Sequence, residues 1–283
     1  MAITRFRPEI WAAQLLVSLK KNLVLAQPGV VNRNYEGEIK NAGDTVRITS
    51  ISRPTIGDYV ANSTVITPEE LTDAQRQLVI DQAKFFAFKI DDVDAAQAAG
   101  SVMPEAMTEA AYGLRDKVDS HLASFYTTVP SANALGTVAV TTGAPTDAYD
   151  KVLVPLKVKL DEANVPTGGR YVAVPSWFHG RLLLDGRFIK ANESGDTSAL
   201  RNGEVGAAAG FTILVSNNMP LVTGDDYAIM AGTSAAISFA EQVNQVEAYR
   251  DPTSFADVMR GLHLWGAKVV RPEGLASAIA SQT

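Results

Sequence analysis

The chain has 283 residues, a formal net charge of -6 and no cysteine. Its length allows a substantial core in one or two domains, and its 46% hydrophobic and 20% charged residues exclude a disordered chain. The negative charge argues against a dedicated nucleic-acid-binding protein, which carries clustered lysine and arginine. The absence of cysteine excludes disulfides, thiolate zinc sites and a cysteine nucleophile.

Residues 1–35 predict an arm that contains one amphipathic helix. Pro8 suits a first helical turn, and apolar residues such as Ile10, Leu19 and Leu23 recur at helical spacing. The segment is locally basic, with Arg5, Arg7, Lys20 and Lys21. The helix either docks on its own domain or lies over a neighbouring subunit. Its apolar run is too short for a membrane span, and no signal-peptide cleavage site follows, so we expect a soluble protein made in the cytoplasm.

The stretch from Gly37 to Asp94 predicts a long β-hairpin. The first arm alternates at Val46 and Ile48, and the return arm places five apolar residues on one side: Leu78, Ile80, Phe86, Phe88 and Ile90. About thirteen paired residues would reach roughly 43 Å, whereas a globule of this length has a radius of gyration of about 19 Å. We therefore expect the arm and its polar tip to meet another molecule, which points to assembly before catalysis.

The remainder of the chain predicts two lobes. Pro104 and an apolar stripe, comprising Ala110, Leu114, Val118, Leu122 and Phe125, predict one long helix over about 104–126 that lies under a sheet. Residues 131–146 are small and polar and predict a domain boundary. Alternating strands and helices over 147–240 predict an α/β lobe, and two strands over 243–272 are expected to return to the first lobe.

Candidate catalytic residues are sparse. Asp91, Asp92 and Asp94 are the only acidic concentration that could hold a metal, but adjacent acids point apart, and acids at a strand-to-helix junction more often cap the helix. The three histidines lie in unrelated segments without HExxH spacing: His121, His179 and His263.

Two further segments do not have the residue spacing of the catalytic or phosphate-binding motifs that they partly match. Ser176 lies three residues before His179, but no GxSxG surrounds any serine, and GTSAA at 232–236 lacks the closing glycine. GEVGAAAG, from Gly203 to Gly210, lacks the spacing of a phosphate-binding loop and more simply allows close backbone packing before a strand. We expect no catalytic residue, metal or cofactor.

The order of these segments resembles the major capsid proteins of tailed double-stranded-DNA bacteriophages, which have the HK-ninety-seven (Johnson) fold. Five segments resemble the coat branch typified by the Salmonella podophage coat protein: WAAQLL, GVVNRNYEGEIKNAGDTVRI, IDQAKFFAFKIDDVD, LDEANVPTGGRYVAVPSWFHGRLL and GFTILVSNNMP. The resemblance implies an α+β fold with four parts. These are an N-arm (1–35), an extended hairpin loop (36–92), a peripheral lobe with the spine helix (93–140 and 241–283) and an α/β axial lobe (141–240).

The resemblance also implies the function. Such proteins assemble as hexamers and pentamers into an icosahedral shell that encloses the phage genome, so the chain is expected in the virion after synthesis in the host cytoplasm. The inserted domain of the podophage coat and an N-terminal scaffolding extension are both missing. We therefore expect a separate scaffolding protein, a portal and a decoration protein as partners, with packaged DNA held by non-specific confinement and no membrane contact.

Residues of the arm and the hairpin are the expected subunit-interface residues: Arg5, Arg7, Trp11, Lys20, Lys21, Arg47, Arg53, Asp58, Tyr59, Glu69, Glu70, Asp73 and Arg76. Two alternatives remain open. The same fold builds bacterial encapsulin nanocompartments, which enclose enzymes rather than DNA. A soluble two-lobe hydrolase would use Asp91, Asp92 or Asp94 and would turn over substrate as a small oligomer.

Overall fold

The computed structural model describes residues 24–34, 45–51, 56, 58, 61, 73–91, 102–186 and 206–282. The expected N-terminal helix, most of the hairpin tip, and the acids Asp92 and Asp94 lie outside these residues. Within the described ranges, strands form a two-stranded ribbon, a three-stranded sheet and a seven-stranded sheet. The mixture of helices and sheets confirms the α+β class.

The described part of the hairpin is a two-stranded ribbon. β1 (Thr45–Ile51) and β2 (Asp73–Val79) pair antiparallel over seven residues each, so the pairing within the described residues reaches about 23 Å. The return arm breaks at Ile80 and Asp81, and its second half, β3 (Gln82–Asp91), pairs with a different strand. The break has a physical reason, because Leu78 and Ile80 are buried against the three-stranded sheet and hold the chain there.

The three-stranded sheet has the order β10–β11–β3, where β10 is Ile237–Arg250 and β11 is Ala256–Val269. One face is covered by α1 (Val102–Ala123), which continues as a 3₁₀ turn over Ser124–Thr128. The helix and sheet share a buried apolar cluster: Met107, Ala111, Leu114, Val246 and Met259. The predicted helix under a sheet and the two returning strands are therefore confirmed.

The seven-stranded sheet has the order β4–β12–β9–β5–β7–β6, with β8 paired to β9. Its strands are β4 (Ala134–Val140), β5 (Arg170–Val174), β6 (Ala207–Ala208), β7 (Phe211–Val215), β8 (Leu221–Thr223), β9 (Asp226–Thr233) and β12 (Leu275–Gln282). A π-helical turn over Ala148–Leu153 leads into α2 (Val154–Glu162), and α3 (Ser176–Leu184) follows β5. Both helices pack on one face of the sheet, through Leu156, Leu160, Phe178 and Leu182.

Two segments differ from the sequence-based division. Residues 131–146 were expected to be a boundary loop, yet they contain β4, which pairs in parallel with β12. The end of the chain was expected to belong wholly to the lobe of the three-stranded sheet, yet β12 pairs with β9 of the seven-stranded sheet. The reason is burial, because Leu275, Ala276 and Ala278 are enclosed in the core and small residues allow that close packing.

The expected glycine-rich loop is partly described. Ala207 and Ala208 pair with Thr212 and Phe211, and the two residues between them, Ala209 and Gly210, have φ values of 52° and 82°. Two successive positive φ values are typical of a tight type I′ hairpin turn. This part of the motif is therefore a turn that leads into β7.

Candidate assembly interface

The β1–β2 ribbon is held to its own subunit at the base. Arg76 Nη1 donates a hydrogen bond to the carbonyl oxygen of Val269 at 3.3 Å. Below it, Leu78 and Ile80 pack against Ala240 and Leu264. In the described part of the chain, β1 pairs with β2 and with no other strand. Because a lone two-stranded hairpin is marginally stable in water, this ribbon needs another surface to lie on.

The face of the three-stranded sheet opposite α1 carries an exposed aromatic groove. Its volume is about 450 Å³, and Phe85, Leu262 and Tyr249 line it. Phe85 is 79% exposed, whereas its neighbour Phe86 points to the opposite face and packs towards α1. Such an exposed apolar patch is characteristic of a docking surface.

The charges in this aromatic groove are already paired. Arg260 Nε donates to Glu247 Oε2 at 2.9 Å, and the guanidinium lies 5.2 Å from the ring centroid of Tyr249. The pKa of Arg260 is raised by its hydrogen bond to Glu247. An occupant of the groove would therefore meet apolar surface and an internally satisfied ion pair.

The turn between β10 and β11 is a rigid exposed tip. Asp251 Oδ1 accepts the backbone N–H of Thr253 at 2.8 Å, and Oδ2 accepts the hydroxyl of Ser254 at 2.6 Å. These hydrogen bonds, with Lys89 Nζ at 3.4 Å, hold the pKa of Asp251 well below its usual range. The network fixes the backbone beside Phe255, whose side chain is 81% exposed. An aromatic side chain on an ordered turn is a second candidate contact point.

The segment 24–34 is the described root of the N-terminal arm. Leu25, Ala26, Val30 and Val31 are at most 2% exposed and share a core cluster with α1 and β10. The backbone N–H of Leu25 donates to Asp119 Oδ1 of α1 at 3.2 Å. Burial raises the pKa of Asp119 to about 6, although the backbone N–H groups of Leu25 and Val24 oppose that shift.

At its other end, this segment carries a buried charge cluster that the sequence did not reveal. Arg33 pairs with Glu241 of β10, and their side chains are 13% and 2% exposed. His263 Nε2 of β11 lies 3.6 Å from Glu241 Oε2. Burial opposes ionisation of Glu241, yet His263 and Arg33 together lower its pKa. No spacing signal links these residues, because they come from three distant segments.

Among the expected interface residues, four fall within the described ranges. Arg47 and Asp73 lie on β1 and β2, in register with Gln77 and Ile51. Asp58 is exposed, whereas Arg76 bonds its own subunit. The others lie outside the described residues: Arg5, Arg7, Trp11, Lys20, Lys21, Arg53, Tyr59, Glu69 and Glu70.

The described residues do not assemble a recognisable catalytic or metal site. No three metal-ligating side chains within them converge, and Asp91 ends β3. The histidines lie on α1, α3 and β11, and His121 stacks edge-on against Trp265 at 4.7 Å. No helix in the described ranges is long and apolar enough to cross a membrane.

Comparison with known proteins agrees with this geometry. The family model described as "Phage capsid protein" matches residues 74–278. A solved structure from Mycobacterium phage Che8 is 35% identical with a TM-score of 0.73, and the match covers 91% of each chain. The capsid structure of cyanophage P-SCSP1u is 18% identical with a TM-score of 0.68, and the match covers 87% of this chain and 85% of that one. No curated protein sequence matches the chain.

A virus-like particle from Pyrococcus furiosus also shares the fold. It is 15% identical with a TM-score of 0.57, and the match covers 95% of this chain and 98% of that one. At this identity the similarity concerns the fold alone. The family match spans well over half of the chain, so the chain belongs to the phage capsid protein family. It is a major capsid protein with the tailed-phage capsid fold, a structural component of the virion shell.

Proposed function

We propose that copies of this chain form hexamers and pentamers of a closed icosahedral shell, and that the β1–β2 hairpin of one copy lies on a neighbouring copy. The observation that carries the proposal is the isolated ribbon. It is anchored at its base by Arg76 and Leu78, and the described strand β1 pairs only with β2. A neighbouring subunit would supply the surface that a lone ribbon lacks.

The exposed aromatic groove on the three-stranded sheet is the receiving surface that fits this hairpin. Phe85 and Leu262 offer apolar area, and Ile56 near the hairpin tip is 83% exposed. The Arg260–Glu247 pair is satisfied within the subunit, so an incoming apolar side chain would leave no charge unpaired. Exposed ion pairs from the hairpin would each add about 0–1 kcal/mol, repeated at every interface.

The division into lobes and the further partners belong to the same proposal. The three-stranded sheet with α1 would form the peripheral lobe, and the seven-stranded sheet would form the axial lobe at the centre of each capsomer. A separate scaffolding protein, a portal and a decoration protein would act with the chain. The net charge of -6 favours DNA held by confinement rather than by specific binding. We propose no active site in this subunit.

An encapsulin-type shell is the second candidate, supported by the fold shared with the Pyrococcus furiosus particle. The match to the phage capsid family favours the virus. Particles purified from cells that produce the chain naturally would contain DNA in the first case and a cargo enzyme in the second.

The experiment that tests the proposal is removal of the hairpin tip. Residues 52–72 are replaced by a short glycine-containing turn between β1 and β2, and the chain is expressed with its scaffolding protein. We expect a folded subunit with a cooperative melting transition but no closed shells in negative-stain images, whereas the unmodified chain closes. Closed shells from the shortened chain would contradict the proposed role, and loss of cooperative melting would show that the tip serves folding instead.

A further inference from the structure

The segment 24–34 lies in a slot between α1 and β10, with a polar contact at each end. At one end Asp119 accepts the backbone N–H of Leu25, and at the other Arg33 bonds both Glu241 and the carbonyl oxygen of Ala26. Asn32 also pairs with β10 through two backbone hydrogen bonds. Its N–H donates to the carbonyl oxygen of Ile237 at 2.8 Å, and its carbonyl oxygen accepts the N–H of Phe239 at 2.9 Å. Val24, the first described residue of this segment, lies at the Asp119 end.

Asp119 also lines a polar cleft of about 250 Å³ at the point where three parts of the molecule meet. The walls come from Val24, from α1, and from the turn after β7 that includes Ser216 and Asn218. Among the described residues, the titratable groups that face Asp119 belong to α1: Arg115, Asp116 and Tyr112. The turn after β7 contributes uncharged polar residues, and the arm root contributes backbone N–H groups. The protonation state of Asp119 therefore changes the charge next to the backbone N–H groups of the arm root.

We propose that Asp119 is a pH-sensitive latch, which seats the root of the N-terminal arm firmly when it is protonated and lets the root open more readily when it is ionised. The carboxylate is only 3% exposed when the root is seated, and lifting Val24 and Leu25 would admit water to it. Hydration by that water stabilises an ionised carboxylate strongly, whereas it stabilises a neutral carboxyl group only slightly.

The direction of the effect follows from proton binding. The seated state has a pKa of about 6 at Asp119, and an opened, hydrated state returns to the ordinary value of 3.8. The seated state therefore binds more protons between these values, and acidification favours it. From pH 8 to pH 5 the ratio of seated to open root rises by about tenfold. Glu241 has a lowered pKa and keeps its charge in this range, so the Arg33 end of the segment does not reverse the effect.

Hydrogen exchange of the full chain, followed by mass spectrometry at pH 5 and at pH 8, tests the latch. Protection factors are used, because they remove the intrinsic pH dependence of amide exchange. We expect the protection of residues 25–31 to rise about tenfold between pH 8 and pH 5, with most of the rise below pH 6. We also expect this protection to stay below that of β5 and β9, because the root opens without global unfolding.

Three variants complete the test. Asp119→Asn should abolish the pH response, whereas Asp116→Asn on the same helix and His263→Gln at the other end of the segment should retain it. A flat profile in the unmodified chain overturns the proposal even if Asp119→Asn fails to fold. A response that persists in Asp119→Asn overturns it too, as does protection of the root equal to that of the sheet. None of these measurements depends on shell assembly, so the latch and the proposed hairpin contact fail separately.

Discussion

The buried pair of Arg33 and Glu241 provides the most direct test of how the arm root is held. We consider the substitution Glu241→Leu, which removes the Glu241 charge that pairs with Arg33. Removing one partner of a buried ion pair destabilises the folded state by about 3–5 kcal/mol. Arg33 keeps its hydrogen bond to Ala26 and lies 5.4 Å from the ring centroid of Phe239, so we expect the lower end, about 3 kcal/mol.

Replacing both partners gives the complementary result. The double variant Arg33→Met and Glu241→Leu removes both buried charges and substitutes apolar side chains of similar size. We expect it to lie within about 1 kcal/mol of the unmodified chain. The free energy of unfolding is measured by urea denaturation of the purified subunit.

The matched control is Glu247→Leu on the same strand. Glu247 pairs with Arg260 at the surface, where the two side chains are 45% and 59% exposed, so we expect a change of less than about 1 kcal/mol. If Glu241→Leu changed stability as little as Glu247→Leu, the pair would not anchor the root. If the double variant were as unstable as the single one, the loss would come from packing rather than from the broken ion pair.

Three further predictions concern other parts of the molecule. A Cβ atom at position 261 would lie 2.3 Å from Cε1 of Phe86. Gly261→Ala should therefore lower the free energy of unfolding in urea by about 1–3 kcal/mol. Adding Phe86→Leu to that variant should recover part of the loss. Phe85→Ser should change the free energy of unfolding by less than about 0.5 kcal/mol but reduce the yield of shells. Phe86→Ser should lower the free energy of unfolding of the subunit itself. Equal stability of the two variants would contradict the assignment of the two side chains to opposite faces. Boiled particles should run on a denaturing gel as a single band near 30.2 kDa. Residues 52–76 contain no lysine for an isopeptide bond, and the chain has no cysteine for a disulfide. A ladder of higher bands would disprove this prediction, and the exposed Lys84 would then be the first residue to substitute.

Local patterns in the sequence predicted most helices and strands but not all of their partners. The stripe of α1 and the alternation of β3 depend on residues close in the chain, so both could be found from spacing. Alternation alone does not say which strand lies alongside, and the return arm was therefore assigned to one hairpin although β3 pairs with β11. β12 was not predicted as a strand, and residues 241–283 were expected in the other lobe, because the alanines and serines of β12 carry no alternating pattern.

The candidate assembly interface could likewise be predicted only in part from the sequence. The hairpin and its role in assembly were expected from its polar tip and its alternating strands, whereas no sequence pattern identified Phe85 as an exposed contact residue. The Arg33–Glu241–His263 cluster was missed, because its members are separated by 208 residues between Arg33 and Glu241 and come together only when β10 and the arm root pack. Long-range charge pairing of this kind leaves no periodic signal in a single sequence.

Electron cryomicroscopy of assembled particles tests the central proposal most directly. We expect closed shells built from many copies of this chain, in which density for the β1–β2 hairpin lies over the Phe85 and Leu262 groove of an adjacent copy. A shell in which each hairpin folds back on its own subunit and the groove stays open to solvent would contradict the proposed mode of assembly.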